Sequence, residues 1–300
     1  MAADTGYLSG IAPDKRGPVT DDDFERLMAG MRPKLHRYCA RMTGSAIDGE
    51  DVVQETLIKA MTARPATIDN PEGWLYRIAH NASLDFLRAK KRHALEPLAD
   101  DAGYMACEPA PDTMGLSFRT FLDLPVLQRC AVVLKDVLGH SVEEIAGVAG
   151  CTVPAAKSAL QRGRLRLRER EDEAAPLPRL TDADRRRLQS FTDAFRTGDF
   201  DAVRAMLADD VRVDLVNRLV LGGRQESRPY FTRYGEIDHW RFAFGAVDGQ
   251  GVMLVFDARG PMERPSHFVV PAWRDGSLVA ITDFLYAPYA MEACEWMRLD

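Results

Sequence analysis

From Asp21 onward, apolar residues recur three or four positions apart. Phe24, Leu27, Met28, Met31, Leu35 and Tyr38 share one helical face that runs to Gly44, interrupted by Pro33. The same spacing predicts a second helix over 47–63 and a third over 71–92. In the third, Leu75, Ile78, Ala79, Ala82 and Phe86 face a core, and Pro71 suits the first turn. The period is lost from 94 and returns at Leu124-Pro125, with Val126, Cys130, Val133, Leu134 and Val137 on one face up to Gly139. Ser141-Val-Glu-Glu144 reads as a capping box opening a short helix that breaks at Gly150-Cys151. Thr152 is then a good N-cap and Pro154 a good early helical residue; Ala156, Ala159, Leu160, Gly163 and Leu167 form the packing face of the helix that follows. Beyond 180 the pattern changes. Two amphipathic helices start at Thr181 and Gly198-Asp199, and 222–235 reads as loop with a short helix. Strand-like stretches fall at 211–216, 240–247, 252–258, 266–273 and 278–286, separated by Asp248-Gly, Gly260-Pro and Asp275-Gly turns.

The polar faces carry the candidate chemistry. In the third helix, Arg77, Asn81, Asp85, Arg88 and Arg92 form one narrow stripe that ends in Lys90-Lys91-Arg92. Cations at such intervals neutralise phosphates, and an Asn amide can bond a base edge. The stripe alone reads more readily as the solvated face of an ordinary amphipathic helix. The second helix opens Asp48-Gly-Glu50-Asp51-Val-Val-Gln54-Glu55, carboxylates that its dipole favours in the first turns. Residues 141–168 read as a helix-turn-helix whose second helix enters a major groove N-terminus first. Base readers there fall among Pro154, Ala155, Lys157, Ser158 and Gln161, while Arg162, Arg164 and Arg166 hold phosphates.

Net charge, −6, argues against a nucleic-acid binder until its distribution is seen. Arg and Lys concentrate in 77–92 and 157–170, whereas 94–122 is acidic and proline-bearing and reads as an extended linker. The five cysteines are scattered without a CxxC or a Cys/His cluster, so no disulfide framework, zinc site or other cofactor is expected. No leader and no apolar run of membrane length is read, which makes the expected location cytoplasmic, with no membrane partner. Residues 1–20, rich in Gly and Pro, read as a tail.

The run Trp74-Leu-Tyr-Arg-Ile-Ala-His-Asn81 with Asp85-Phe-Leu-Arg88 resembles region 2 of extracytoplasmic-function (ECF) sigma factors, the promoter-specificity subunits of bacterial RNA polymerase. The Asp48–Glu55 motif resembles that family's docking surface for the β′ clamp helices, and EEIAGVAGCTVPAAKSALQRGRLRLRE resembles region 4. The resemblance implies two partners, core polymerase (β′ clamp helices and β subunit) and promoter DNA. Asp48, Glu50, Asp51, Gln54 and Glu55 would bind polymerase. Asn70, Trp74, Arg77, Asn81, Arg88, Lys91 and Arg92 would face the −10 element, with 64–71 helping to trap an extruded base. Thr152, Pro154, Ala155, Lys157, Ser158, Gln161, Arg162 and Arg164 would face −35, and the linker would thread the RNA-exit path. Gly49 stands for another small residue and is expected to matter little; Gly163 stands for an alanine and is expected to loosen its helix by about 1 kcal/mol.

The opening of the last segment, F-x-x-A-F-x-T-G-D-F-D-A-V, resembles the SnoaL-like cone fold of the nuclear transport factor superfamily. The expected fold class is therefore multidomain: two all-α sigma domains followed by an α+β cone-shaped domain with a curved antiparallel sheet. The expected division is tail 1–20, region 2 at 21–93, linker 94–122, region 4 at 123–172, linker 173–180 and cone domain 181–300. Asp214, Trp240, His267, Trp273 and Asp283 are the candidate lining of a pocket in that last domain. Such a domain would modulate the sigma factor in cis, with a small-molecule ligand or a protein regulator as its partner. Two other readings stay open: a DNA-binding regulator that works without polymerase, and a cone-fold enzyme carrying a sigma-like module.

Overall fold

The computed structural model describes residues 21–65, 67–92, 113, 116–169 and 180–300. The first helices are α1 (Asp21–Thr43), α2 (Ala46–Thr62) and α3 (Pro71–Arg92). Pro33 lies inside α1 without ending it. Ser45 caps α2 by accepting from Ile47 N and Asp48 N, and Asn70 Oδ1 accepts from Gly73 N at 2.9 Å to open α3. Within the expected linker, 94–112 and 114–115 lie outside the described residues. Its last part packs: Phe118–Asp123 is a 3-10 helix with Phe118 and Phe121 buried, because two aromatics three apart meet the core on one side of such a turn.

Next come α4 (Val126–Val132), which continues as a π turn over Val133–Val137, then α5 (Val142–Ala149) and α6 (Val153–Arg168). The capping box at Ser141/Glu144 is formed, Gly150 closes α5 in the left-handed region, and Thr152 caps α6. One apolar cluster runs through both helical regions, from Tyr38, Leu75 and Ala79 to Val133, Ile145 and Leu160. Arg129 crosses the seam. Buried, its guanidinium donates from Nη1 to Met42 O at the end of α1 and from Nη2 to Leu122 O and Leu124 O, while Nε has no protein acceptor. Beside it the Tyr38 hydroxyl bonds His80 Nδ1 at 2.8 Å.

The C-terminal unit opens with α7 (Asp182–Thr197) and α8 (Phe200–Met206), capped by Thr181 and Asp199. It continues through β1 (Leu207–Leu215), β2 (Leu219–Gly222), α9 (Gly223–Glu226) and α10 (Arg228–Glu236). The remaining strands are β3 (Trp240–Val247), β4 (Gln250–Asp257), β5 (His267–Arg274), β6 (Ser277–Asp283) and β7 (Trp296–Arg298), with a 3-10 turn at Pro288–Met291. They form one open sheet in the order β2-β1-β6-β5-β4-β3-β7. Pairing is antiparallel throughout except between β1 and β6, and register shifts in β1–β6 and β5–β6 mark where it bends. Both Asp-Gly turns form as expected, with Asp248, Gly249, Asp275 and Gly276 at positive φ.

Both faces of this sheet are buried. One carries Val213, Phe244, Met253, Val255, Val269 and Ile281 against α7, α8 and α10. The other carries Val247, Val252, Leu254, Phe256, Phe268 and Val270. Its cover includes Ala40, Ala46 and Ile47 from the α1–α2 corner. The cone-like unit is therefore docked on region 2.

Candidate functional site

The docking centres on the acidic N-terminal half of α2. Asp248, at φ 48 in the β3–β4 turn, accepts Ala46 N on Oδ2 (2.7 Å) and Glu295 N on Oδ1 (2.9 Å). A hairpin turn of one unit thus satisfies a free amide at the start of a helix in the other. Burial pushes the Asp248 carboxyl up to about 7, the two amide bonds opposing it. Glu50 is 1% exposed and pairs with Arg32, while Tyr289 Oη donates to its second oxygen at 3.2 Å. Burial raises the Glu50 carboxyl to about 7, against the pull of Arg32 and Tyr289. His36 packs tilted against Tyr289 with ring centroids 5.0 Å apart, and burial drops it to about 4, so it stays neutral. At the rim, Arg37 and Glu292 form a two-pronged ion pair of 2.7 and 3.0 Å.

The expected polymerase-binding residues therefore part company. Glu50 faces inward, because the docked turn covers that side of the helix. Asp48 bonds Lys90 of α3 at 2.7 Å, and Glu55 pairs with Lys59 along its own helix. Asp51 stays exposed, although the adjoining protein mass, and then the Asp48 and Asp214 carboxylates, push its carboxyl up to about 6. Gln54 lines a groove of about 390 Å³ between α2 and the β1–β2 hairpin.

Along α3, Asn70, Asn81 and Lys91 are exposed and Arg88 pairs with Asp85 at 3.1 Å. The Arg92 side chain lies outside the described residues. Trp74 packs half-buried against Phe24, centroids 6.3 Å apart. Arg77 donates twice to Gly147 O of α5, at 3.1 and 2.8 Å, so this arginine bridges the two helical regions. On α6, Thr152, Pro154 and Lys157 are exposed, and Ala155, Ser158, Gln161 and Arg162 are half-buried. Arg164 is paired with Asp136 of the π turn at 3.0 and 2.5 Å, where it braces α6 against α4.

The five candidate pocket residues do not converge. Trp240, His267 and Asp283 meet on the helix-covered face, joined by Tyr230 and Tyr234, which the sequence reading did not single out. Asp283 Oδ2 accepts from Tyr230 (3.0 Å) and Tyr234 (2.8 Å), and Oδ1 from Leu285 N (2.9 Å). The Tyr234 hydroxyl, its proton given to Asp283, lies 3.0 Å from His267 Nε2, and His267 Nδ1 lies 2.8 Å from the Ser266 hydroxyl, which also reaches Val255 O at 3.1 Å. Burial lowers the His267 pKa, which favours the neutral ring. Only Tyr234 and Trp240 of this network reach an outer cavity of about 560 Å³. Trp273 packs elsewhere on the same face, edge-on to Phe191. Asp214 is a correction: strand alternation from Val213 and Leu215 turns it to the opposite face, in the groove beside α2. The outward signal for Tyr230 and Tyr234 was their i,i+4 spacing on α10, which sequence alone could not place over β6.

Among the described residues, no group of His, Cys, Asp or Glu is arranged to hold a metal, and no helix is long and apolar enough to cross a membrane. Cys39, Cys130 and Cys294 are buried free thiols.

Comparison with known proteins places the two helical regions. Sigma-70 region 2 matches residues 27–93 and Sigma-70, region 4 matches residues 119–167. The chain is 34% identical over 158 residues to the ECF RNA polymerase sigma factor SigE of Mycolicibacterium smegmatis, which is 49% of this chain and 60% of SigE. It thus spans less than two thirds of SigE's length. It is 32% identical over 160 residues to the ECF RNA polymerase sigma factor EcfG of Rhodopseudomonas palustris, 50% of this chain and 85% of EcfG. The crystal structure of the Mycobacterium tuberculosis extracytoplasmic function sigma factor SigJ aligns with 88% of this chain and 95% of its own, at 20% identity and a TM-score of 0.36. Both regions match in order, and the likeness runs through most of EcfG: the chain belongs to the ECF RNA polymerase sigma factors.

Proposed function

We propose that this chain directs bacterial RNA polymerase to specific promoters, with its C-terminal unit modulating that activity in cis. The observation that carries the reading is the succession of both sigma regions in one chain, each with an accessible functional face. Asp51, Gln54 and Glu55 contact core polymerase from α2. Asn81, Arg88 and Lys91 face −10 from α3, and Pro154, Lys157 and Gln161 read −35 from the N-terminal half of α6. Arg77 joins −10 binding once region 4 moves off α3, since its guanidinium is held by Gly147 O in the present arrangement. The C-terminal unit acts by contact and not by turnover. What supports this is that Asp283 and His267 spend their hydrogen bonds on each other's neighbours, leaving no free base aimed at a substrate.

The test is transcription in vitro with core polymerase on a library of promoter sequences. Wild type is expected to initiate at a discrete promoter set and Asp51→Ala to lose at least about tenfold of that signal, the loss of one interfacial anchor. Tight DNA binding by the chain alone, without initiation on any promoter, would instead establish a regulator that works without polymerase.

A further inference from the structure

Among the described residues, seven large apolar side chains are exposed, and four of them flank one groove: Ile58 (58%), Met61 (59%), Leu219 (43%) and Val220 (52%). The groove, about 390 Å³, has α1 for its floor at Met28 and Arg32. Its first wall is α2, where Gln54, Leu57, Ile58 and Met61 follow helical spacing over two turns, roughly 10 Å. The second wall is the β1–β2 hairpin of the C-terminal unit. β2 is also the open edge of the sheet, and an apolar edge left bare is a liability that proteins ordinarily cover.

We infer that the β1–β2 hairpin extends the polymerase-docking face of α2, so that an α-helical element of core RNA polymerase lies in the groove and touches both units. The inference rests on the proposed function and names a second contact for its partner. A groove whose α2 wall carries apolar side chains at helical spacing, faced by an apolar hairpin edge, suits an amphipathic helix laid along it. The charges fix the rim. Arg212 on the hairpin side is paired with Asp214 at 3.0 Å, and Asp214 lines the groove close enough to Asp51 of α2 to raise that carboxyl. Arg218 lies over the Tyr286 ring. The occupant is thus a helix with an apolar stripe and a basic residue placed toward Asp51 and Asp214. Docking through Asp248, Glu50 and Arg37 sets the distance between the walls, which gives that seam a purpose beyond covering the sheet.

The experiment measures affinity of the full-length chain for core polymerase, with no promoter present. Val220→Asp and Leu219→Asp place a carboxylate on the hairpin wall at exposed positions; Ile58→Asp does so on α2. Met262→Asp, at an exposed position in the β4–β5 connection, is the control for charge alone. Thermal melts establish that each variant is folded. The expected result is binding weaker by about tenfold or more for the three groove variants, as for loss of a central apolar contact, and unchanged for the control. A reactive crosslinker at position 220 is expected to capture a core subunit. Hairpin variants that bind like wild type, while Asp51→Ala loses binding, would overturn this inference and leave the proposed function standing. Tighter binding by the hairpin variants would also overturn it, since the hairpin would then screen α2. A wild-type chain that does not bind core would overturn both.

Discussion

Asp248 combines two demands that conflict at neutral pH. Its turn position and its two amide donors suit a carboxylate, whereas burial at the seam favours the neutral acid and raises it to about 7. The sign follows. An acid whose folded pKa exceeds the unfolded value contributes most below the unfolded pKa, near 3.8, and loses that contribution as pH rises through about 7. Asp248→Asn is therefore expected to cost most at pH 5 and less at pH 8, measured as the wild-type-minus-variant difference in urea melts. An equal difference at both pH values would show that Asp248 is not perturbed. His36 and His80 run the other way: held neutral down to about 4, they destabilise the fold as pH falls from 6.5. That is why the variant difference, and not the raw profile, isolates Asp248. Arg129 makes the second prediction at this scale. Its three carbonyl acceptors lie in α1, in the 3-10 turn and on Leu124, which follows that turn, so Arg129→Met strands buried acceptors at the seam of the helical regions. A loss of about 2–4 kcal/mol in denaturant melts is expected, from about 1–3 kcal/mol per unsatisfied group; a loss under 0.5 would mean water replaces the guanidinium.

Two glycines separate what element-level reading recovers from what it misses. Gly49 was expected to matter little, but a Cβ there would sit 2.6 Å from Ala40 Cα and 2.7 Å from Ala40 N, in backbone that cannot move aside. The residue sets how closely α2 crosses α1. Gly163 was expected to cost its helix about 1 kcal/mol relative to alanine. Its Cβ would lie 2.7 Å from Val132 Cγ2 and 3.2 Å from Gln128 O, so the gain in helix propensity meets overpacking against α4. Gly49→Ala is expected to destabilise by about 1–3 kcal/mol, the range for overpacking a filled core. A more stable Gly49→Ala in thermal unfolding would show the crossing to be loose. Helices and hairpins were legible because capping residues, 3.6-residue spacing and Asp-Gly turns act locally. The two faces of the sheet were half legible. Val252-Met-Leu-Val-Phe256 is apolar without alternation, which is what a strand covered on both sides requires. Which cover lay on which face depended on long-range packing, and Asp214 was misplaced for that reason.

At the scale of the molecule, the seam joins region 2 to the C-terminal unit through both apolar and polar contacts. The sheet's second apolar face would meet water if the units parted, and with it the buried Glu50–Arg32 pair and the free end of α2. The core of the seam therefore resists single substitutions, and the rim is the better lever. Arg37 and Glu292 are partly exposed, so their pair contributes only about 0.2–1 kcal/mol, yet it spans both units with two-pronged geometry. Arg37→Glu turns that attraction into repulsion, and Glu292→Arg does the same from the other side. Each single variant is expected to speed amide exchange in Pro288–Met291 and at the start of α2, and to lower polymerase-dependent initiation, because the hairpin loses its position beside α2. The double variant restores the pair with its charges exchanged and should recover most of both signals. Recovery of exchange without recovery of initiation would mean that the seam holds the units together without setting how polymerase is engaged. Single variants with unchanged exchange would mean that the apolar face alone fixes the docking.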